Sequence, residues 1–285
     1  MEPAQTARGP VDAETHPVAS SGEIAGIEVP GGTVYVEQFR SGTEPVLAIH
    51  GISSQRRLWN WLRAAAPGLS LVAPDLRGRG DSVGVEGPSS IARHAADMVA
   101  VLDQLGLPAV HVCGMSMGGF VAVELATAYP GRVKSLILVD GGFPMAAPPG
   151  LTPEALPAIF RDRLARLERD WSSVRDYAQF FTESTAPLLD PADPLLLDYL
   201  AHDLVDHRVR LSAEALVADA ADIFFGPSKW PRLGVPTRTF RAELDVLVTV
   251  RPVAGVDHAG SIMSHAGAAA AVGLIAEALD EQGLS

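Results

Sequence analysis

Ala109-Val110-His111-Val112-Cys113-Gly114-Met115-Ser116-Met117-Gly118-Gly119-Phe120, continuing into Val121-Ala122-Val123-Glu124-Leu125-Ala126, is the stretch on which the reading of the chain turns. A β-branched apolar run reaches Gly114, one serine stands two residues on, and two glycines open an amphipathic helix. This Gly-x-Ser-x-Gly pattern belongs to a strand that turns sharply into a helix and holds its serine in a strained backbone conformation. Without a Cβ at Gly114 and Gly118, strand and helix can approach closely around the turn. The hydroxyl is then expected at the carboxyl end of a sheet, above the positive end of the following helix.

Outward from that turn the chain alternates strands and helices. Ile24–Val29 and Thr33–Phe39 read as strands joined by the hairpin signal Pro30-Gly31-Gly32. Val46–Ile49 is a continuous apolar run, the mark of a strand buried on both faces. It ends at His50-Gly51-Ile52-Ser53. Ser70–Ala73 is a further strand, leading into Pro74-Asp75-Leu76-Arg77-Gly78-Arg79-Gly80-Asp81-Ser82. Ser89 and Ser90 cap a helix running to Leu105, with Ile91, Ala95, Met98, Val99 and Leu102 at helical spacing. Beyond the serine turn, Val133–Val139 is a strand ending at Asp140-Gly141-Gly142. From 143 to 233 the strand pattern gives way to four helix-like segments, Pro153–Asp170, Val174–Thr182, Pro194–Val205 and Ser212–Phe225, separated by proline steps. Pro236–Ala242 and Leu247–Val253 resume as strands, and a helix from about residue 267 follows. The expected fold class is α/β, a mostly parallel twisted sheet flanked by helices, with an inserted helical cap. The expected organisation is a mobile tail at 1–21, a core formed by 22–142 and 234–285, and the cap at 143–233.

Composition narrows the function classes. With 285 residues, 47% of them hydrophobic, the chain can bury a large core. A formal net charge of −12 without a dense Lys/Arg run argues against nucleic acid or an anionic membrane as partner. The single cysteine, Cys113, reads as a small apolar side chain on a central strand. Acidic Glu2 and the lack of an apolar leader lead to a cytoplasmic expectation. No Cys/His cluster suggests a metal, and the glycine pairs lack the dinucleotide-binding form, so neither metal nor cofactor is expected. His202 and His207, five residues apart in the cap, are expected to face solvent.

By its ordered motifs the chain resembles the α/β-hydrolase fold family over nearly its whole length past residue 24. The motifs are His50-Gly51, Asp75-x-Arg77-Gly78-x-Gly80, Gly114-x-Ser116-x-Gly118-Gly119, Leu136-Ile137-Leu138-Val139-Asp140 and Gly255-Val256-Asp257-His258. The resemblance implies a helical lid after the sixth strand, where 143–233 lies. It implies that Ser116 is the nucleophile and His258 its base, since a serine hydroxyl needs a base within hydrogen-bond reach. It also implies an oxyanion hole made by the backbone N–H groups of Met117 and Ile52, a bracing role for the Asp75 loop, and a structural role for His50.

The carboxylate that would complete the set is open among Asp140, Asp245 and Glu243. The family most often takes its acid after the seventh strand, where Asp245 stands. If Val246–Val253 is the last strand, however, Asp245 falls at its amino end, the wrong edge for His258. Parallel neighbours also normally need a crossover of about a dozen residues, which this stretch lacks. Asp140 ends the sixth strand on the favourable edge, and some family members take their acid there.

Relatives that open epoxides or displace halide use Asp at the serine position, so Ser116 points instead to acyl transfer to water. The leading expectation is a serine hydrolase acting on a small, apolar, uncharged carboxylic ester or lactone, because few basic residues are placed near the expected cleft. A carbon–carbon or thioester hydrolase with the same residues, and a non-catalytic ligand receptor, are the alternatives.

Overall fold

The computed structural model describes residues 22–145, 147–230, 234–235, 237–239, 248–250 and 252–280. In chain order the strands are β1 (Glu23–Val29), β2 (Gly32–Phe39), β3 (Val46–Ile49), β4 (Leu71–Pro74), β5 (Val110–Met115), β6 (Val133–Val139), β7 (Leu204–Val205), β8 (Arg208–Val209), β9 (Thr237–Thr239) and β10 (Val248–Val250). The helices are α1 (Asn60–Ala65), α2 (Ile91–Gln104), α3 (Met117–Ala128), α4 (Leu156–Ile159), α5 (Arg161–Glu168), α6 (Val174–Ser184), α7 (Pro194–Asp203), α8 (Ala213–Phe225), α9 (Gly260–Met263) and α10 (His265–Asp280).

Eight strands form one sheet in the order β1-β2-β4-β3-β5-β6-β9-β10. Only the β1–β2 and β2–β4 pairings are antiparallel; from β4 to β10 the strands run parallel. β3 is buried at every position, as its unbroken apolar run requires between two parallel neighbours. The chain leaves β3 for β4 on one side and returns to β5 on the other. That reversal opens a crevice at the carboxyl ends of β3 and β5, where an open α/β sheet places its ligand site.

Ser90 caps α2 by accepting from the Arg93 amide at 3.1 Å, and the helix buries Ile91, Ala95, Met98 and Leu102. The expected amphipathic α3 is buried on nearly every side, being held between the sheet, α2 and the chain beyond β6. The mostly parallel, helix-flanked α/β sheet expected from the strand–helix alternation is therefore present.

Local differences from the expected elements have physical reasons. The single helix expected over Pro153–Asp170 is broken at Phe160 into a short turn, α4 and α5. α7 ends at Asp203 because Leu204–Val205 pairs antiparallel with Arg208–Val209, across Asp206 and His207 in the left-handed region. β9 and β10 are parallel neighbours with only eight residues between them, fewer than such a crossover normally takes. No helix among the described residues is long and apolar enough to cross a membrane.

Candidate active site

Ser116 follows β5 directly and adopts φ 53° and ψ −118°, a conformation rare for a residue with a side chain. Its amide donates to the Val139 carbonyl at 2.9 Å and its carbonyl accepts from Gly119 at 2.9 Å, so both sides of the bend are held. The turn closes because α3 crosses over the end of β3: a Cβ on Gly118 would collide with the Ile49 carbonyl, and one on Gly114 with the Gly118 carbonyl.

Three side chains meet above this turn. Ser116 Oγ lies 3.0 Å from His258 Nε2, and His258 Nδ1 lies 2.6 Å from Asp140 Oδ2. The tautomer that satisfies both contacts carries its proton on Nδ1, donated to Asp140, leaving Nε2 to accept from the serine. Asp140 sits immediately after β6 at φ 45°. His258 lies between β10 and α9, and its carbonyl accepts from Ser261 Oγ at 2.8 Å. Both side chains are about half exposed, and His258 lines a cleft together with Ser116. Asp257 does not join them; its Oδ1 accepts from the Gly260 amide at 2.6 Å, at the start of α9. His265 opens α10. Asp245 and Glu243 lie outside the described residues.

Met117 opens α3, in the first turn, where helical N–H groups have no intrahelical partner. Ile52 lies opposite on the loop after β3, and its carbonyl accepts from Arg79 Nε at 3.0 Å, which fixes the orientation of that loop. Arg79 is itself fully buried and paired with Asp219 at 2.6 Å. His50 lies beneath the loop. Its Nδ1–H donates to the Gly51 carbonyl at 2.8 Å and its Nε2 accepts from the Leu76 amide at 3.0 Å. Burial pushes its pKa down to about 4, so the ring stays neutral and braces the backbone.

The cleft encloses about 490 Å³, part of it open to solvent, and is walled by Ile52, Leu58, Phe181, Tyr199, Met263 and Arg163 beside Ser116 and His258. Two aromatic residues from between β6 and β9, Phe181 and Tyr199, reach it. One basic residue, Arg163 from α5, forms part of its wall. A separate hollow of about 620 Å³, between α2, α3, α8 and the chain after β6, is lined by Phe120, Phe143 and Trp230 and shares no residue with this cleft.

His202 departs from its expected place. It is not solvent-facing but nearly buried, 3.7 Å from Asp75 and 3.8 Å from Asp81, while His207 is exposed as expected. Asp75, Asp81 and His202 are close enough together to offer ligands to a metal ion. Arg56 already pairs with both carboxylates and Arg210 with Asp81, so guanidinium groups fill the role a cation would take. Asp75 also accepts from the Arg56 and Asp81 amides at 2.7 and 2.9 Å, which makes it a brace for the loop after β4. His94 and His111 are buried in polar contacts, with Asp219 at 2.9 Å and with Ser135 at 2.8 Å respectively. Arg79 and His202 were missed as site-shaping residues because their partners lie far off in sequence, and Arg163 because no local spacing announces it.

A family model described as "Alpha/beta hydrolase family" matches residues 46–278. The chain belongs to that family. Among curated proteins it is 40% identical over 100 residues to Lipase LipV of Mycobacterium tuberculosis, covering 35% of this chain and 38% of that protein. It is 38% identical over 109 residues to a putative carbamate hydrolase, RutD, of Azorhizobium caulinodans, covering 38% of this chain and 41% of the relative. The alignments thus span about two-fifths of these relatives' length. Among solved structures, a hypothetical protein from Pseudomonas aeruginosa PAO1 superposes with a TM-score of 0.69 at 22% identity, covering 90% of this chain and 98% of the other. The thioesterase domain from the curacin biosynthetic pathway gives 0.69 at 21% identity, covering 90% and 99%. At such identities the likeness speaks for the fold.

Proposed function

We propose that this alpha/beta hydrolase family member is a serine hydrolase that cleaves a carboxylic ester or lactone through an acyl-enzyme on Ser116. The observation that carries the reading is the continuous hydrogen-bond chain from Ser116 Oγ through His258 to Asp140, with Ser116 and His258 lining a walled cleft. In the first half-reaction His258 Nε2 takes the hydroxyl proton as Ser116 Oγ attacks the carbonyl carbon. Asp140 steadies the imidazolium that forms, and the Met117 and Ile52 N–H groups hold the oxyanion. Collapse expels the alcohol, which takes its proton from His258. Water, deprotonated by the same nitrogen, then releases the acid and restores the serine. The residues between β6 and β9, expected as a cap, supply Arg163, Phe181 and Tyr199 to the wall and would shape specificity from there.

The test pairs labelling with turnover. A fluorophosphonate probe is expected to modify Ser116 alone, and p-nitrophenyl butyrate to be hydrolysed by the wild type but not by Ser116→Ala. An unlabelled, inert wild-type protein would overturn the reading in favour of a ligand receptor.

A further inference from the structure

Among the described residues, Arg163 is the permanently charged one in the cleft wall; the surfaces around it are Ile52, Leu58, Phe181 and Met263, with Tyr199 neutral because burial raises its phenol. Arg163 is half-buried in that wall, and among the described residues no carboxylate pairs with it. The Phe160 ring, 5.5 Å away, offers a π face but no counter-charge. One turn along α5, Arg166 is almost fully buried. It donates to the Ser53 carbonyl at 2.7 Å and leaves its Nε without a hydrogen-bond partner. The acid that acts on Arg166 is Asp203, whose carboxylate already accepts the Tyr177 hydroxyl at 2.8 Å. Burial and then repulsion from Arg166 both disfavour the charge on Arg163.

A guanidinium partly shielded from water in an apolar wall and lacking a counter-ion gains from a ligand that brings the missing anion. Its planar fork of donors matches the two oxygens of a carboxylate. It stands on the same cleft as the serine whose neighbours would carry out acyl transfer. We infer that Arg163 binds a carboxylate at the non-reacting end of the substrate, so that the protein selects esters or lactones bearing a negative charge. This inference rests on the hydrolase reading above for its substrate class but not for its binding site.

The experiment compares two esters of equal chain length, p-nitrophenyl hydrogen adipate and p-nitrophenyl hexanoate, by the ratio of their kcat/KM values. The wild type is expected to favour the adipate ester by about 10- to 100-fold, the worth of a charge-assisted hydrogen bond. Arg163→Gln should bring the ratio close to one, and Arg163→Lys should keep part of it. A misfolded or loosened variant would lower both rates without moving the ratio. A wild-type ratio near one, or one unaltered in Arg163→Gln, would overturn the inference. Binding is read apart from turnover by calorimetry of adipate with Ser116→Ala, with and without Arg163→Gln. Should neither ester turn over while adipate binds Ser116→Ala and not the double variant, the hydrolase reading falls and the anion site stands. Turnover of both esters without preference removes the anion site alone.

Discussion

Asp140 holds its carboxylate 2.6 Å from His258 Nδ1 from a left-handed backbone position directly after β6. An amide there could turn its NH2 toward the ring, favour the opposite tautomer and leave Nε2 protonated and unable to accept from Ser116. Asp140→Asn should therefore lower kcat for p-nitrophenyl butyrate by roughly three to four orders of magnitude with little change in KM. Asp245→Asn should leave both near wild type, and the reverse pattern would move the acid to Asp245. At this scale the serine between glycines after a β-branched run was legible from neighbours within a few residues. His258 was singled out through the family resemblance, and the acid stayed open among Asp140, Asp245 and Glu243 because which carboxylate meets the ring depends on how distant strands line up. The orientation of Arg163 was not legible, because nothing local distinguishes it from the other arginines of α5.

The element that carries Ile52 is held by buried ion pairs from distant helices. Arg79, after β4, donates to the Ile52 carbonyl while its NH2 pairs with Asp219 of α8, both side chains fully buried. Asp219 also bonds His94 and Ser89, tying α2 to α8. Removing that carboxylate strands a buried guanidinium. Asp219→Ala is therefore expected to cost about 3–5 kcal/mol of stability, read as a fall in the urea midpoint, with Asp219→Asn milder. The strands and the capped α2 followed from periodicity, which is a local property. The break at Phe160 and the β7–β8 pairing depend on contacts with the core, and so escaped a reading of spacing alone. His202 was read as exposed for the same reason: its acidic partners lie more than a hundred residues earlier.

For the whole molecule, acid is the sensitive direction. His50 titrates near 6.5 in an open chain and at about 4 when folded. Between those values the unfolded state binds the extra proton, so stability rises with pH across the window and is lost on acidification. Asp75 acts in the same sense at lower pH; burial opposes its ionisation, but His202 and Arg56 hold it well below the usual carboxylate range. Urea unfolding at pH 4.5 is expected to show about 2 to 3 kcal/mol less stability than at pH 7.5 from His50 alone. His50→Asn should flatten that slope, whatever it does to stability at neutral pH. A slope unchanged by the substitution would show that His50 does not carry it.

The turn after β3 has a further implication for recombination. Ser53 receives Arg166, Ser54 receives Tyr199, Gln55 reaches the Tyr199 carbonyl, and Arg57 and Asn60 grip Asp198. Five attachments within eight residues join this short stretch to α5 and α7, so the two cannot be exchanged independently. A chimaera that imported the helices after β6 from a relative would have to import residues 53–60 with them, or leave the transplanted and resident halves of each attachment without a counterpart. The natural seam for shuffling therefore falls on the near side of Ser53, not at the end of β6.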